Sequence, residues 1–507
     1  MSFYVTTPIY YVNAAPHLGH AYTTIAADVM ARHHRQRGEE VFFLTGTDEH
    51  GEPVADAAHA LGIQPQELAD RNAERFKALA PQLHASNDFF IRTTDPRHEA
   101  MVKDVLARVR ENGHVYEGTY EGWYCPRCAD FKAENEVDEG RLCPIHHIEL
   151  TREQEDNYFF KLSAFQQPLE RLYAEREDFV APRTRYNEAL SFIRSGLRDV
   201  PLTRHKLTWG VQVPWDPEHV FYVWFDALLN YYTALSYAPA PAGMQGDASL
   251  TERLWPASYH LIGKDILRFH AVYWPALLMA AELELPEHIF VHGFLLMEGE
   301  KMSKSLGNVL DPFAVIERYG ADALRFYLLR DVPFGQDGSV STAAFELRYE
   351  SELANELGNL AGRTIAMVHR YRDGVPPAVA LDRELDSDFA GLAHEVQWLI
   401  DRAELTGALD VIWQRVRRLN RYVEERAPWQ LAKDDGAARQ LDCVLATLVA
   451  GVRVLAVLLH PYLPTSTDKL LAALRCEQRS LAAADWGSTA ALGEPIETLE
   501  PLFPKSS

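Results

Sequence analysis

Lysine and arginine are in short supply, 50 against 72 aspartates and glutamates, which leaves a formal net charge of −22 over 507 residues. That excludes nucleic-acid binding through overall charge, although a local basic patch stays possible. Cysteine is scarcer still: five in the chain, three of them between Cys125 and Cys143. So few and so local a set cannot form a disulfide scaffold and points to a metal instead. No stretch of about 18 apolar residues is found, and the opening MSFYVTTPIYYVN lacks the basic-then-apolar run of a signal peptide. A cytoplasmic protein without membrane contact is expected. Internal repeats and low-complexity tracts are missing too. The 47% apolar and 24% charged residues suffice for a sizeable core divided among three or more units.

The pattern opens with a strand at residues 3–7, a turn through Asn13 to Pro16, and a helix over 17–37 on which Leu18, Tyr22, Ile25 and Val29 recur at helical spacing. A buried strand at 41–44, a helix at 66–79, a strand at 89–93 and a helix at 98–112 follow. This alternation predicts an α/β fold, a split Rossmann-like parallel sheet with ligands at the carboxyl ends of its strands. The pattern predicts a first catalytic half over 1–114, a cysteine-bearing insertion over 115–218, a second half over 219–300 and a linking segment over 301–348. Residues 238–246 read as a surface loop within the second half. From 349 to 507 long amphipathic segments (353–370, 388–405, 408–426, 438–459) predict an all-α helical bundle.

Pro16-His17-Leu18-Gly19-His20 lies where the first strand turns into the first helix. Free backbone N–H groups and the helix dipole make such a start an anion site, two histidines at i and i+3 share one face, and Gly19 leaves room for a base. Lys301-Met302-Ser303-Lys304-Ser305 follows an apolar strand, and two lysines at i and i+3 on a loop suit a leaving pyrophosphate. Either motif alone is equally compatible with a helix start or a solvated turn. Together, in this order and separated by a second α/β half, they resemble the paired signatures of class I aminoacyl-tRNA synthetases.

The segments Tyr4-Val-Thr-Thr-Pro-Ile-Tyr-Tyr-Val-Asn13, Thr45-Gly-Thr-Asp-Glu-His-Gly51, Trp224-Phe-Asp-Ala227 and Gly263-Lys-Asp265, with His270 and Trp274 downstream, narrow the resemblance to the methionyl branch of that class. The resemblance implies that Asp48 binds the ammonium of L-methionine. It also implies that Ile9, Tyr11, Trp224, Ala227, Tyr231, Ile266, His270 and Trp274 form the pocket. A polarizable thioether packs well on aromatic edges, and a tyrosine or histidine donor can sense sulfur. It further implies that His17, Gly19, His20, Gly263, Asp265, Lys301, Ser303 and Lys304 bind ATP with Mg²⁺, His17, His20, Lys301 and Lys304 being catalytic and Asp265 holding the ribose.

Cys125-x₂-Cys128 and Cys143-x₂-His146 have the spacing of one tetrahedral structural zinc, with His147 as an alternative to His146. A redox pair would leave Cys143 and His146 unexplained. Four candidates resemble the single-knuckle subgroup of the methionyl family. An insertion of about 100 residues is too short for the hydrolytic editing domain that relatives specific for small apolar side chains require. Cys443 and Cys476, on apolar helical stretches, are expected to be buried thiols. Asn359 and Arg363 share a helix face at i and i+4, and Trp429 follows a helix carrying Arg415, Arg417, Arg418 and Arg421. This resembles the family's anticodon site for tRNA(Met), in which unpaired bases stack on an aromatic ring beside positive charge. A monomer is expected. Two other readings remain open on the motifs: a nucleotidylyltransferase of the same superfamily acting on a small molecule, and a non-enzymatic zinc-knuckle RNA-binding protein.

Overall fold

A computed structural model describes residues 2–125, 130–132, 137, 140–144, 147–205, 207–241, 244, 247–297, 310–476 and 478–504. Its centre is a six-stranded sheet in the order Phe89–Arg92, Glu40–Asp48, Ser2–Tyr11, Tyr259–Gly263, His288–His292, Val180–Ala181, parallel at every pairing. Its central strands are buried almost throughout, as expected of strands covered on both faces. Helix Leu18–Gln36 covers one face, where Tyr22, Ile25, Val29 and Met30 are fully buried. The order reverses between Ser2–Tyr11 and Tyr259–Gly263, and at such a switch point the loops diverge and leave a crevice at the strands' carboxyl ends.

The expected insertion over 115–218 is not wholly separate from the sheet. Val180–Ala181 pairs with His288–His292 and takes the sixth place, with helices Gln166–Glu175 and Arg183–Arg194 to either side in sequence. A strand of two residues carries no periodicity, so the pattern could not reveal it. The rest of the stretch builds an antiparallel sheet of four strands in the order Asp130–Lys132, Val115–Cys125, Thr151–Phe160, Val200–Pro201. A second, of three, is made of Gln212–Val213, Asp216–Phe221 and Thr203–Arg204.

Beyond residue 349 the described residues are mainly α-helical, and Tyr349–Gly358 is π-helical and runs directly into the α-helix Asn359–Arg372. The helix expected over 388–405 is broken. Gly391 (φ 79°) precedes Leu392–Ile400, and Ala403 (φ 57°) turns the chain into Leu405–Arg426. Among the described residues one helix, Asp435–Leu459, is long and apolar enough to cross a membrane by length and composition, although it contains no uninterrupted apolar run of about 18 residues. Yet 89% of its most apolar window is buried, and a helix apolar all round is what a bundle core needs. Arg325, on helix Ala321–Asp331 of the linking segment, and Asp28 of the first helix are both fully buried and 2.7 Å apart. The same guanidinium donates to the carbonyls of Leu83, Pro461 and Tyr462. Breaking such a pair from one side strands a buried charge at about 3–5 kcal/mol.

Candidate functional site

A cavity of about 410 Å³ opens at the switch point. Where the first strand passes Pro8, which has no N–H for the ladder, its register with Glu40–Asp48 shifts between Thr6 and Ile9. Beyond the shift Tyr11 stands opposite Asp48, and Ile9, Tyr11 and Asp48 all line the cavity. Gly46 is dictated by close approach, since a Cβ there would lie 2.2 Å from the Ile91 carbonyl oxygen. Asp48 is buried, and its Oδ1 has no hydrogen-bond partner among the described residues. Burial, then the carboxylates of Asp226 and Glu49, push its pKa well above the usual range. Such a group calls for a cation.

His17 and His20 cap the first helix reciprocally: His17 Nδ1 accepts from the Gly19 N–H at 3.1 Å, and His20 Nδ1 accepts from the His17 N–H at 3.0 Å. The expected backbone anion site is therefore partly spent on the rings themselves. With Nδ1 an acceptor, the neutral rings carry their protons on Nε2. Burial, followed by His17, holds His20 at about 3, and burial lowers His17. What this turn offers a phosphate is thus neutral N–H donors, not imidazolium charge. Gly19, Gly263 and Asp265 line the same cavity. A Cβ on Gly263 would meet Asp265 Oδ1 at 2.6 Å, so the carboxylate folds over this glycine and would have to move aside for any side chain there.

The apolar end is built by Trp224, Ala227 and Tyr231, on one face of helix Val223–Tyr237. Ile266 and His270 join from a 3₁₀ turn and a π-helical turn, Phe269–Tyr273. Trp224 stacks flat on Phe269 at 3.7 Å, and its buried Nε1 has no partner among the described residues. The Tyr231 hydroxyl lies 2.7 Å from His270 Nε2, and His270 Nδ1 lies 3.1 Å from the Ile266 carbonyl. That carbonyl can only accept, so His270 is protonated at Nδ1 and receives the tyrosine proton at Nε2. Both expected sulfur donors are therefore engaged with protein partners. Trp274 departs from expectation. It does not line the cavity but lies behind Tyr231, with its indole N–H 3.2 Å from His260 Nε2. Thr23, His292, Phe294 and Phe269 line the cavity without having been singled out. Thr23 stands one helical turn beyond His20, and that spacing was the available signal for it.

Lys301, Ser303 and Lys304 lie outside the described residues, as do Cys128 and His146. Cys125 and Cys143 are fully buried in one cluster with Leu150, against which Trp123 packs. Among the described residues no three metal-binding side chains come together. Of the remaining cysteines, Cys476 is buried and Cys443 only partly so. In the helical part, Arg363 sits 5.7 Å over the Trp429 ring, and Asn359 is exposed one turn earlier on the same helix. The helix of arginines is less positive than expected. Arg417 pairs with Glu352 and Glu356, Arg418 with Glu384, Asp388 and Glu425, and Arg415 with Glu395.

Comparison with known proteins follows this division. A family model described as tRNA synthetases class I (M) matches residues 3–153 and 139–365, and one described as the anticodon binding domain of methionyl tRNA ligase matches 379–506. The methionine–tRNA ligase of Caldanaerobacter subterraneus is 45% identical over 92% of this chain and 73% of the relative. That of Rhizobium meliloti is 44% identical over 99% and 98%. The chain belongs to the methionyl-tRNA synthetase family. The crystal structure of the Mycobacterium tuberculosis methionyl-tRNA synthetase bound by methionyl-adenylate superposes with a TM-score of 0.93 at 43% identity, covering 99% of this chain and 100% of that one. The reaction of this methionine–tRNA ligase family is ATP-dependent activation of methionine and its transfer to tRNA. The fold is accordingly the class I parallel sheet followed by a helical anticodon-binding domain.

Proposed function

We propose that the cavity is where the methionine carboxylate attacks the α-phosphate of ATP, supplied as its magnesium complex, and that each lining residue has a separate task. Asp48 takes the α-ammonium, and Trp224, whose buried Nε1–H has no partner among the described residues, belongs to the wall of the side-chain pocket. Ile9, Tyr11, Ala227, Tyr231, Ile266 and His270 hold the side chain, with Trp274 supporting Tyr231 from behind. His17 and His20 direct their Nε2–H groups at the phosphates, Gly19 and Gly263 leave room for the adenosine, and Asp265 holds its ribose. Lys301, Ser303 and Lys304 complete the phosphate contacts. Pyrophosphate leaves, and the 3′-terminal ribose hydroxyl of tRNA(Met) then attacks the adenylate carbonyl and displaces AMP. Catalysis is by position and electrostatics, with no covalent enzyme intermediate.

The anticodon is read at Asn359, Arg363 and Trp429, where an exposed guanidinium over an indole offers both hydrogen bonds and a stacking plane. Two buried thiols, Cys125 and Cys143, suit a single structural zinc knuckle, whose set Cys128 and either His146 or His147 would complete; the metal would organise the insertion. The domains are proposed as catalytic halves 1–114 and 219–300, insertion 115–218, linking segment 301–348 and anticodon domain 349–507. A cytoplasmic location is proposed, since the five cysteines are too few and too local for a disulfide framework, and a monomer is proposed with it.

One observation carries this reading: a single cavity is lined both by the histidine turn and by a buried carboxylate whose Oδ1 lacks a partner among the described residues. ATP–pyrophosphate exchange across all twenty amino acids tests it. Methionine alone should support exchange. Asp48→Asn should raise the methionine KM a hundredfold or more, because an ammonium buried without its partner costs about 3–5 kcal/mol. Exchange with another amino acid, or an unaffected variant, would refute the assignment.

A further inference from the structure

Behind the cavity wall, three elements converge on one carboxylate that does not itself line the cavity. Asp226, on helix Val223–Tyr237, is 1% exposed. Its Oδ2 lies 2.7 Å from His50 Nδ1 and its Oδ1 lies 2.8 Å from His98 Nε2. His50 follows Asp48 by two residues, and His98 lies in the first turn of helix Pro96–Glu111. His98 grips the same helix twice, for its Nδ1 is 2.7 Å from the Thr233 hydroxyl, two turns beyond Asp226. The insertion holds the loop from outside. Trp209 donates from Nε1 to the Glu49 carbonyl at 2.6 Å, accepts from the Gly51 N–H at 3.2 Å, and meets the His50 ring edge-on.

The charges fit this arrangement. Burial alone would raise Asp226, but the charge on His50 and hydrogen bonds from both imidazoles outweigh it and bring the carboxyl to about 2. Burial lowers His50 in turn, and Asp226, with smaller help from Glu99 and Glu49, more than restores it. An ionised carboxylate accepting two imidazole N–H groups in a dry site is short and directional, and it tolerates little displacement.

We infer that Asp226, with His50 and His98, is a positioning lock for the amino-acid substrate. It fixes the helix that bears Trp224, Ala227 and Tyr231 against the strand end that bears Asp48, and so sets the distance between ammonium acceptor and side-chain pocket. Asp226 touches no substrate; it acts through Asp48 and through its own helix. This rests on the reading above that Asp48 takes the ammonium.

A lock of this kind governs methionine and not ATP, whose histidine turn belongs to a different element. In ATP–pyrophosphate exchange, Asp226→Asn should raise the methionine KM at least tenfold, with the ATP KM within twofold of the parent. His98→Gln should shift it in the same direction by a smaller factor. Asp48→Asn, assayed alongside, judges the site assignment separately. If it leaves the methionine KM unchanged while Asp226→Asn raises it, the ammonium assignment fails, and with it the distance-setting role, leaving Asp226 to act only through the helix that bears the side-chain pocket. If it raises the methionine KM while Asp226→Asn does not, the lock fails and the assignment stands. An equal rise in both substrate KM values also overturns the lock. So does failure of both Asp226→Asn and His98→Gln to fold, which would make the cluster a folding element only.

Discussion

Tyr231 and His270 show how much of the chemistry turns on proton placement. The Ile266 carbonyl fixes the imidazole proton on Nδ1, and burial holds the ring at about 4, so it stays neutral through the physiological range. A neutral imidazole nitrogen is a far better acceptor than a thioether. The Tyr231 proton should therefore stay on His270 when methionine binds, leaving the sulfur to be sensed through polarizability and aromatic packing. Tyr231→Phe removes the donor and leaves a buried acceptor unmet, at about 1–3 kcal/mol. It should weaken methionine and its sulfur-free isostere norleucine alike, their kcat/KM ratio changing by less than threefold. A tenfold collapse of that ratio would mean the hydroxyl turns to the sulfur after all. Residue types in this pocket were legible in the sequence, as were the histidines of the first helix. Their tautomers were not, because each is set by a backbone group that only the fold brings near. The same holds for Trp274, whose side of Tyr231 depends on a partner, His260, fourteen residues away in sequence.

At the scale of elements, what the sequence revealed is what has periodicity. The first helix, the buried strands and the long bundle helices each bury one stripe or both faces, and their spacing says so. Helix Glu52–Leu61 was missed because it opens after Gly51 (φ 91°) with Pro53 in its first turn, a Gly-Glu-Pro run that reads as a turn. The π-helical turn Phe269–Tyr273 escaped for a different reason: its wider winding sets Phe269 and His270 on the same cavity, a pairing that α-helical spacing does not predict. Two long paired strands, Val115–Cys125 and Thr151–Phe160, flank the cysteines of the insertion, but the buried cluster of Cys125, Cys143 and Leu150 is small for a core that has to hold unaided. A zinc ion on the proposed ligand set would supply what that small core lacks. Elemental analysis should find about one zinc per chain. Cys143→Ser should abolish it and change the fluorescence of the adjoining Trp123. Two zinc ions per chain would instead indicate a second knuckle, and none would leave the thiols as an ordinary packed cluster.

Across the whole molecule, two electrostatic effects oppose each other as the medium is acidified. With a formal charge of −22 at pH 7, the folded chain repels itself, and protonation relieves that strain. Buried histidines act in the other direction. Burial, helped at His20 and His33 by a neighbouring histidine, holds these two at about 3. Burial likewise holds His270, His292 and His460 at about 4. In the unfolded chain each titrates at about 6.5. These folded values are lowered, so between pH 6.5 and 4 the unfolded chain binds protons that the folded one refuses. Stability then rises with pH and is lost on acidification, by about 1.4 kcal/mol per unit for each group once below 6.5. His50 is raised and contributes the opposite way: its stabilisation is complete below 6.5 and fades as the pH climbs through its folded value. The raised Asp48 carboxyl acts in the same sense as His50, but these two cannot offset the five imidazoles held at about 3 to 4, and relief of surface repulsion is screened by salt whereas burial is not. The thermal unfolding midpoint should therefore fall by about 10 °C or more from pH 7 to pH 5, at low and at moderate salt alike. A midpoint that holds steady or rises over that interval would show that charge repulsion, and not the buried imidazoles, governs the acid side of this protein's stability.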